Sequence, residues 1–193
     1  MIDSKSVAMF KTDVGKVVTL TIISVVFKKF VLKLDIDPFS DSLIQGAMST
    51  IIGFAVYEFI TYKFNDLLKL EGAYKMAWVD ILKFGTMMVV KEFVLASYKG
   101  TDVDPKKYIV IGAVLAGFIG YDFFIKPKIP KKYGKSKYDK SAITDTIKTM
   151  ASFIAGDILI DGDIEVSNLP QIVSLLIAVP IFHLVVRPII DKI

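Results

Sequence analysis

The sequence predicts an all-α fold: a polytopic membrane helix bundle of three tandem two-helix hairpins, with about six transmembrane helices and a pseudo-threefold repeat. The first observation behind this is apolarity. Hydrophobic residues make up 53% of the 193-residue chain and the mean hydropathy is +0.55, above the roughly 45–50% usual for a soluble domain with glycine counted. The second is that long runs are nearly free of charge: 43–62 contains only Glu58, 108–125 only Asp122, and 171–186 only His183. About twenty mostly apolar residues span a bilayer core. The third is internal repetition at a period of roughly 61–67 residues, the kind of pattern that fixes architecture before other evidence does.

Each repeat opens with an amphipathic helix that starts at Asp-x-x-Lys: Asp13/Lys16, Asp80/Lys83 and Asp145/Lys148. An acidic turn follows, Asp35-Ile36-Asp37-Pro38, then Asp102-Val103-Asp104-Pro105, then Asp161-Gly162-Asp163. A more apolar helix closes the repeat. Its late part reads Gly53-Phe54-Ala55-Val56-Tyr57-Glu58-Phe59, then Gly117-Phe118-Ile119-Gly120-Tyr121-Asp122-Phe123, then Ala178-Val179-Pro180-Ile181-Phe182-His183-Leu184. The chain is expected to be one membrane domain, 1–193, with repeats at about 12–64, 76–129 and 143–190 and a basic loop at 126–141.

The odd helices, expected at 14–34, 76–98 and 143–160, carry charges that cost about 2.5–3.5 kcal/mol each at the centre of an isolated membrane helix. They could lie in the interface as amphipathic helices. Repetition favours crossing, because six crossings give every hairpin the same orientation and put like turns on like sides. The lysines agree. The segments on the side of the termini, 1–16, 63–75, 126–148 and 187–193, hold 16 Lys and Arg, against 3 in 34–42, 99–107 and 161–169, or 6 with Lys28, Lys29 and Lys33 at the end of the first helix. The positive-inside rule then places both termini in the cytoplasm. A soluble all-α bundle would have to hide 43–62 and 108–125 completely. No cleavable leader of the usual form is expected.

Asp37, Asp104 and Asn168 are expected to cap the even helices, with Pro38, Pro105 and Pro170 near their first turns. Pro180 falls inside the last of them. Small-x-x-x-small pairs, Ser49/Gly53, Ala113/Gly117, Ala116/Gly120 and Ser152/Gly156, suit close helix packing.

Glu58, Asp122 and His183 share one aligned position, and intramembrane ionisable groups are candidate functional residues. Together they could line a proton or cation path. Each precedes a basic residue, Lys63, Lys126 or Arg187, so the leading reading is a structural set near the cytoplasmic interface. The Asp-x-x-Lys residues could pair between helices or bind lipid, but their leading reading is as markers of where a helix enters water. The loop lysines Lys126, Lys128, Lys131, Lys132, Lys135 and Lys137 suit anionic headgroups or an acidic partner, at about 1 kcal/mol each near such a surface.

Catalysis has little support. There is no nucleophile elbow, P-loop or dinucleotide fingerprint, and neither a metal nor a cofactor is expected. The acidic turns lack the remaining ligands of a calcium loop. With no cysteine and one histidine, thiolate and multi-histidine metal sites are excluded. One arginine among 24 basic residues disfavours sequence-specific nucleic-acid binding, although Tyr133 and Tyr138 stand among the loop lysines.

Three two-helix hairpins resemble the mitochondrial carriers in outline. Those carry Pro-x-acid-x-x-base at the end of each odd helix, whereas Asp-x-x-Lys here is placed at the start and the chain is much shorter, so the match is set aside. The lysine bias, the Ile/Phe/Tyr richness and the repeated Gly-Phe-x-x-Tyr-acid-Phe helices look like small multi-pass membrane proteins of large nucleocytoplasmic DNA viruses, over the whole chain. The absent catalytic set, the short loops and the packing motifs lead to the expectation of a non-enzymatic structural or assembly role in a membrane, which the resemblance would make an internal virion membrane, with lipid and other membrane proteins, or copies of itself, as partners. The alternative is a small channel or transporter moving protons, cations or a small solute between the repeats.

Overall fold

The computed structural model describes residues 4–130, 134, 136–161 and 169–193, and these form helices joined by short turns, with no strand among them. Helix α1, Ser4–Val26, runs on into a π-helical turn at Phe27–Val31. Helix α2 is Asp41–Phe59, followed by a 3₁₀ turn at Thr61–Asp66. Helix α3 is Gly72–Lys99. Helix α4, Lys106–Gly120, continues through a π turn at Tyr121–Ile125 and a 3₁₀ turn at Lys126–Lys128. Helix α5 is Lys137–Asp161. Helix α6, Leu169–Ile181, contains Pro180 and is followed by a π turn at Phe182–Val186 and the short α7, Arg187–Ile190.

The odd helices begin at Ser4, Gly72 and Lys137, well before the 14, 76 and 143 expected. Their opening turns carry buried positions, Ser6, Ala77 and Ala142, so packing extends each helix ahead of its Asp-x-x-Lys. Asp-x-x-Lys therefore does not open these helices. It lies about two turns inside each one.

The helix ends also differ from expectation in part. Asp37 is not the cap of α2. Its Oδ1 accepts the Phe39 N–H at 2.9 Å in a turn ahead of the helix, and extended Ser40 precedes Asp41. Asp104 does serve the start of α4, accepting the Lys106 N–H at 2.9 Å. Helix α3 stops at Gly100, whose φ of 63° is easy only for glycine and lets the Thr101 N–H close back on the Ala96 carbonyl at 3.0 Å. Gly162, Asp163 and Asn168, and the loop residues Lys131, Lys132, Tyr133 and Lys135, lie outside the described residues.

Two helices are long and apolar enough to cross a membrane, Lys106–Lys128 and Leu169–Ile190. They contain the expected segments 108–125 and 171–186. The segment 43–62 is not among them. Its helix ends at Phe59 and is diluted by Asp41, Gln45, Ser49, Thr50 and Glu58.

Each helix from α1 to α5 packs against the next, and α6 returns to α1, so the six form a closed ring. Two glycines set the closest approaches. A Cβ on Gly53 would stand 2.5 Å from the Met87 carbonyl oxygen, and one on Gly117 would stand 2.6 Å from the Ser152 Cα. The α2–α3 and α4–α5 backbones thus touch where only hydrogen fits. Gly112 and Gly120 face open space. Polarity is distributed inside out. Ser49, Glu58, Asp122 and Ser174 are fully buried, while Ile22, Phe30, Ile60, Ile109, Phe124 and Leu159 are exposed.

Replacing Gly53 or Gly117 with alanine should destabilise the purified protein by about 1–3 kcal/mol in thermal or denaturant unfolding, because the obstructing atoms are backbone. Gly112→Ala and Gly120→Ala should leave the midpoint unchanged, and equal effects at all four positions would refute this packing.

Candidate functional site

The site is built from the three Asp-x-x-Lys motifs, which meet one another inside the ring. Lys83 of α3 reaches back to α1, where it donates to Asp13 Oδ1 at 2.9 Å and Oδ2 at 2.8 Å. Lys148 of α5 donates to Asp80 of α3. Lys16 of α1 donates to Asp145 of α5 at 2.7 Å. Each odd helix gives its aspartate to one neighbour and its lysine to the other, so the three pairs close a cycle.

The even helices complete each pair into a node. Lys83 also donates to Glu58 Oε1 of α2 at 3.0 Å. Lys148 stands 3.7 Å from Asp122 Oδ2 of α4, whose other oxygen faces Lys126 at the same distance. At the third node His183 Nε2, from the turn after α6, lies 2.8 Å from Asp145 Oδ2, and its Nδ1 lies 3.4 Å from Arg187, which in turn reaches Ser141.

The surrounding sequence explains how a lysine is accommodated here. In Gly53-Phe54-x-x-Tyr57-Glu58 the glycine admits the α3 backbone one turn beyond Lys83. Phe54 and Tyr57 face the ammonium at 5.4 and 5.5 Å from their ring centres, and Glu58 accepts its hydrogen bond. In Gly117-Phe118-x-x-Tyr121-Asp122 the same offsets place Gly117 against Ser152, one turn beyond Lys148, and set the Phe118 and Tyr121 rings 5.5 and 5.7 Å from its ammonium. Ring faces attract a cation by about 0.5–2 kcal/mol, more as water is excluded. The repeated motif is a lysine receptacle. Its third copy keeps buried Ala178, Phe182 and His183.

The expected marking of water boundaries by Asp-x-x-Lys is overturned. Asp13 and Asp80 are buried, and the Lys83 and Lys148 side chains are only 17% and 13% exposed. Pairing between helices, the lesser expectation, is what these residues do. Glu58, Asp122 and His183 are at most 2% exposed and face the nodes rather than an aqueous boundary. Their partners, lysines or aspartates from helices distant in sequence, could not be read from spacing alone.

The loop lysines divide. Lys126 turns inward to Asp122 and the Met76 sulfur, and Lys128 is exposed. Lys137 donates to Asp191 at 2.8 Å, which raises the pKa of the lysine and holds the carboxyl below its ordinary range. Compared with protein-family models, curated protein sequences and solved structures, the chain matches none.

Removing one member of a buried ion pair leaves its partner uncompensated, at about 3–5 kcal/mol. Lys83→Met should cost that much in unfolding of the purified protein. Adding Glu58→Gln to Lys83→Met should recover part of the loss by removing one of the two stranded carboxyl groups. A Lys83→Met protein as stable as the parent would contradict the energetic role of the node.

Proposed function

We propose that the chain is a six-span integral membrane protein of three hairpin repeats with cytoplasmic termini, and that its ring of nodes is a gate across a polar axis for protons, cations or a small solute. The observation that carries this reading is the inverted polarity of the bundle. Only 33% of an 18-residue apolar stretch in each of the two most apolar helices is buried, while the enclosed positions include Ser49, Glu58, Asp80, Asp122, Ser174 and His183. Apolar surface outside and charge inside suit lipid around the ring. The inward charges also answer the difficulty of the odd helices, since a lysine that faces a carboxylate on the next helix does not face lipid.

Transport ranks above the structural role because a passive scaffold gains little from buried ion pairs, which apolar packing replaces at equal or lower free energy. A cycle of interhelical pairs holds three hairpins together in one state and can release them in another. The interlocking itself favours the second reading, a scaffold in a membrane, in which the cycle serves assembly alone.

In reconstituted liposomes the protein should raise proton, cation or small-solute flux above protein-free vesicles, and Lys148→Met should change that flux several-fold. Flux equal to empty vesicles, from protein with intact helix content, would leave the scaffold reading in place. Topology is tested separately in this cysteine-free chain. Single cysteines at Lys128 and at Thr101, both exposed, should label from opposite sides of the membrane, and labelling from the same side would refute six crossings.

A further inference from the structure

The first node does not balance in charge, the second balances only through the more open Lys126, and at both nodes enclosed carboxyl oxygens lack hydrogen-bond partners. A lysine ammonium has three hydrogens to give. Lys83 has contacts for all three on Asp13 Oδ1, Asp13 Oδ2 and Glu58 Oε1. Glu58 Oε2 is left without a hydrogen-bond partner although Glu58 is fully enclosed. At the second node Lys148 is bonded to Asp80, and neither oxygen of fully enclosed Asp122 has a hydrogen-bond partner.

The groups facing each site come from every neighbouring helix. Around Glu58 these are Asp13 of α1, Tyr57 of its own helix and Lys83 of α3. Around Asp122 they are Asp80 of α3, Lys148 of α5, and Lys126 and Tyr121 of its own segment. Lys126 is the more open of the two cations, at 36% exposure against 13% for Lys148. Two carboxyls thus share one enclosed ammonium at each of these nodes. The third node differs, with one carboxyl, Asp145, set against Lys16 and His183 replacing the second acid.

A second ionised carboxylate in a closed, weakly polar interior is costly unless something cancels its charge. A metal ion and a proton are the two candidates. Among the described residues no three His, Asp or Glu side chains stand where they could hold a metal together, whereas a proton needs only one oxygen. We propose that the Asp13–Glu58 pair and the Asp80–Asp122 pair are proton-binding sites, each holding one exchangeable proton beside its lysine. The proton belongs to the pair rather than to either carboxyl. The sites stand on node geometry alone. Their consequence, a gate whose interhelical charge is set by protonation and which couples to a proton gradient, rests on the transporter reading.

The test is infrared absorption of the purified, detergent-solubilised full chain during a pH titration. A protonated-carboxyl C=O band should be present at neutral pH and be lost on alkaline titration. Glu58→Gln and Asp122→Asn should each remove part of it, and together most of it. Absence of such a band at neutral pH in the parent protein overturns the proposal, and that measurement needs no variant to fold. A band unchanged in the folded double variant overturns it too. Liposome flux separates the two readings. A titrating band without flux upholds the sites and sinks transport, whereas flux that ignores pH, with no band, upholds transport and sinks the sites.

Discussion

Three ammonium groups placed inside an apolar helical ring are the constraint on which the rest of this structure depends. Lys16, Lys83 and Lys148 cannot be enclosed without partners, because an uncompensated charge in such an interior costs several kcal/mol. Each draws a carboxylate from a different helix. Because the lysine and aspartate of one motif point to opposite neighbours, satisfying all three requires α1, α3 and α5 to surround a common centre. Closure of the ring between α6 and α1 follows from the same demand, since Lys16 and Asp145 bring the two ends of the chain together.

The even helices are shaped by what the lysines need. A residue small enough to admit the neighbouring backbone, two aromatic faces and one acceptor recur at fixed offsets in α2 and α4. Their four-residue spacings bring Gly53 and Tyr57, or Gly117 and Tyr121, onto one side of the helix. The third copy departs from the pattern where its chemistry departs. His183 meets an aspartate rather than a lysine, and the Lys–Asp pair there is the most open of the three, with the Lys16 and Asp145 side chains 21% and 30% exposed.

Much of the fold was legible in the residues. The order of helices, their alternation of less and more apolar character, and the packing roles of Gly53 and Gly117 follow from local pattern and side-chain size. The starts of the odd helices were not, because Asp13, Asp80 and Asp145 look like residues that meet water, and only their partners reveal that they lie in the interior. The helix over 43–62 is not among the two long and apolar enough to cross for a related reason: polar groups that weaken a membrane helix when counted singly are here turned inward, as with Ser49 and Glu58.

The amino-acid sequence by itself determined the helices, the recurrence of Asp-x-x-Lys and of Gly-Phe-x-x-Tyr-acid, and the alignment of Glu58, Asp122 and His183. These depend on neighbours within a few turns, where spacing dictates which side chains share a face. Only the tertiary structure decided which lysine meets which acid. The partners stand 70, 68 and 129 residues apart along the chain, and no local periodicity specifies such pairings. They are selected by the joint requirement that every buried charge find its counter-charge while every backbone closes against the next.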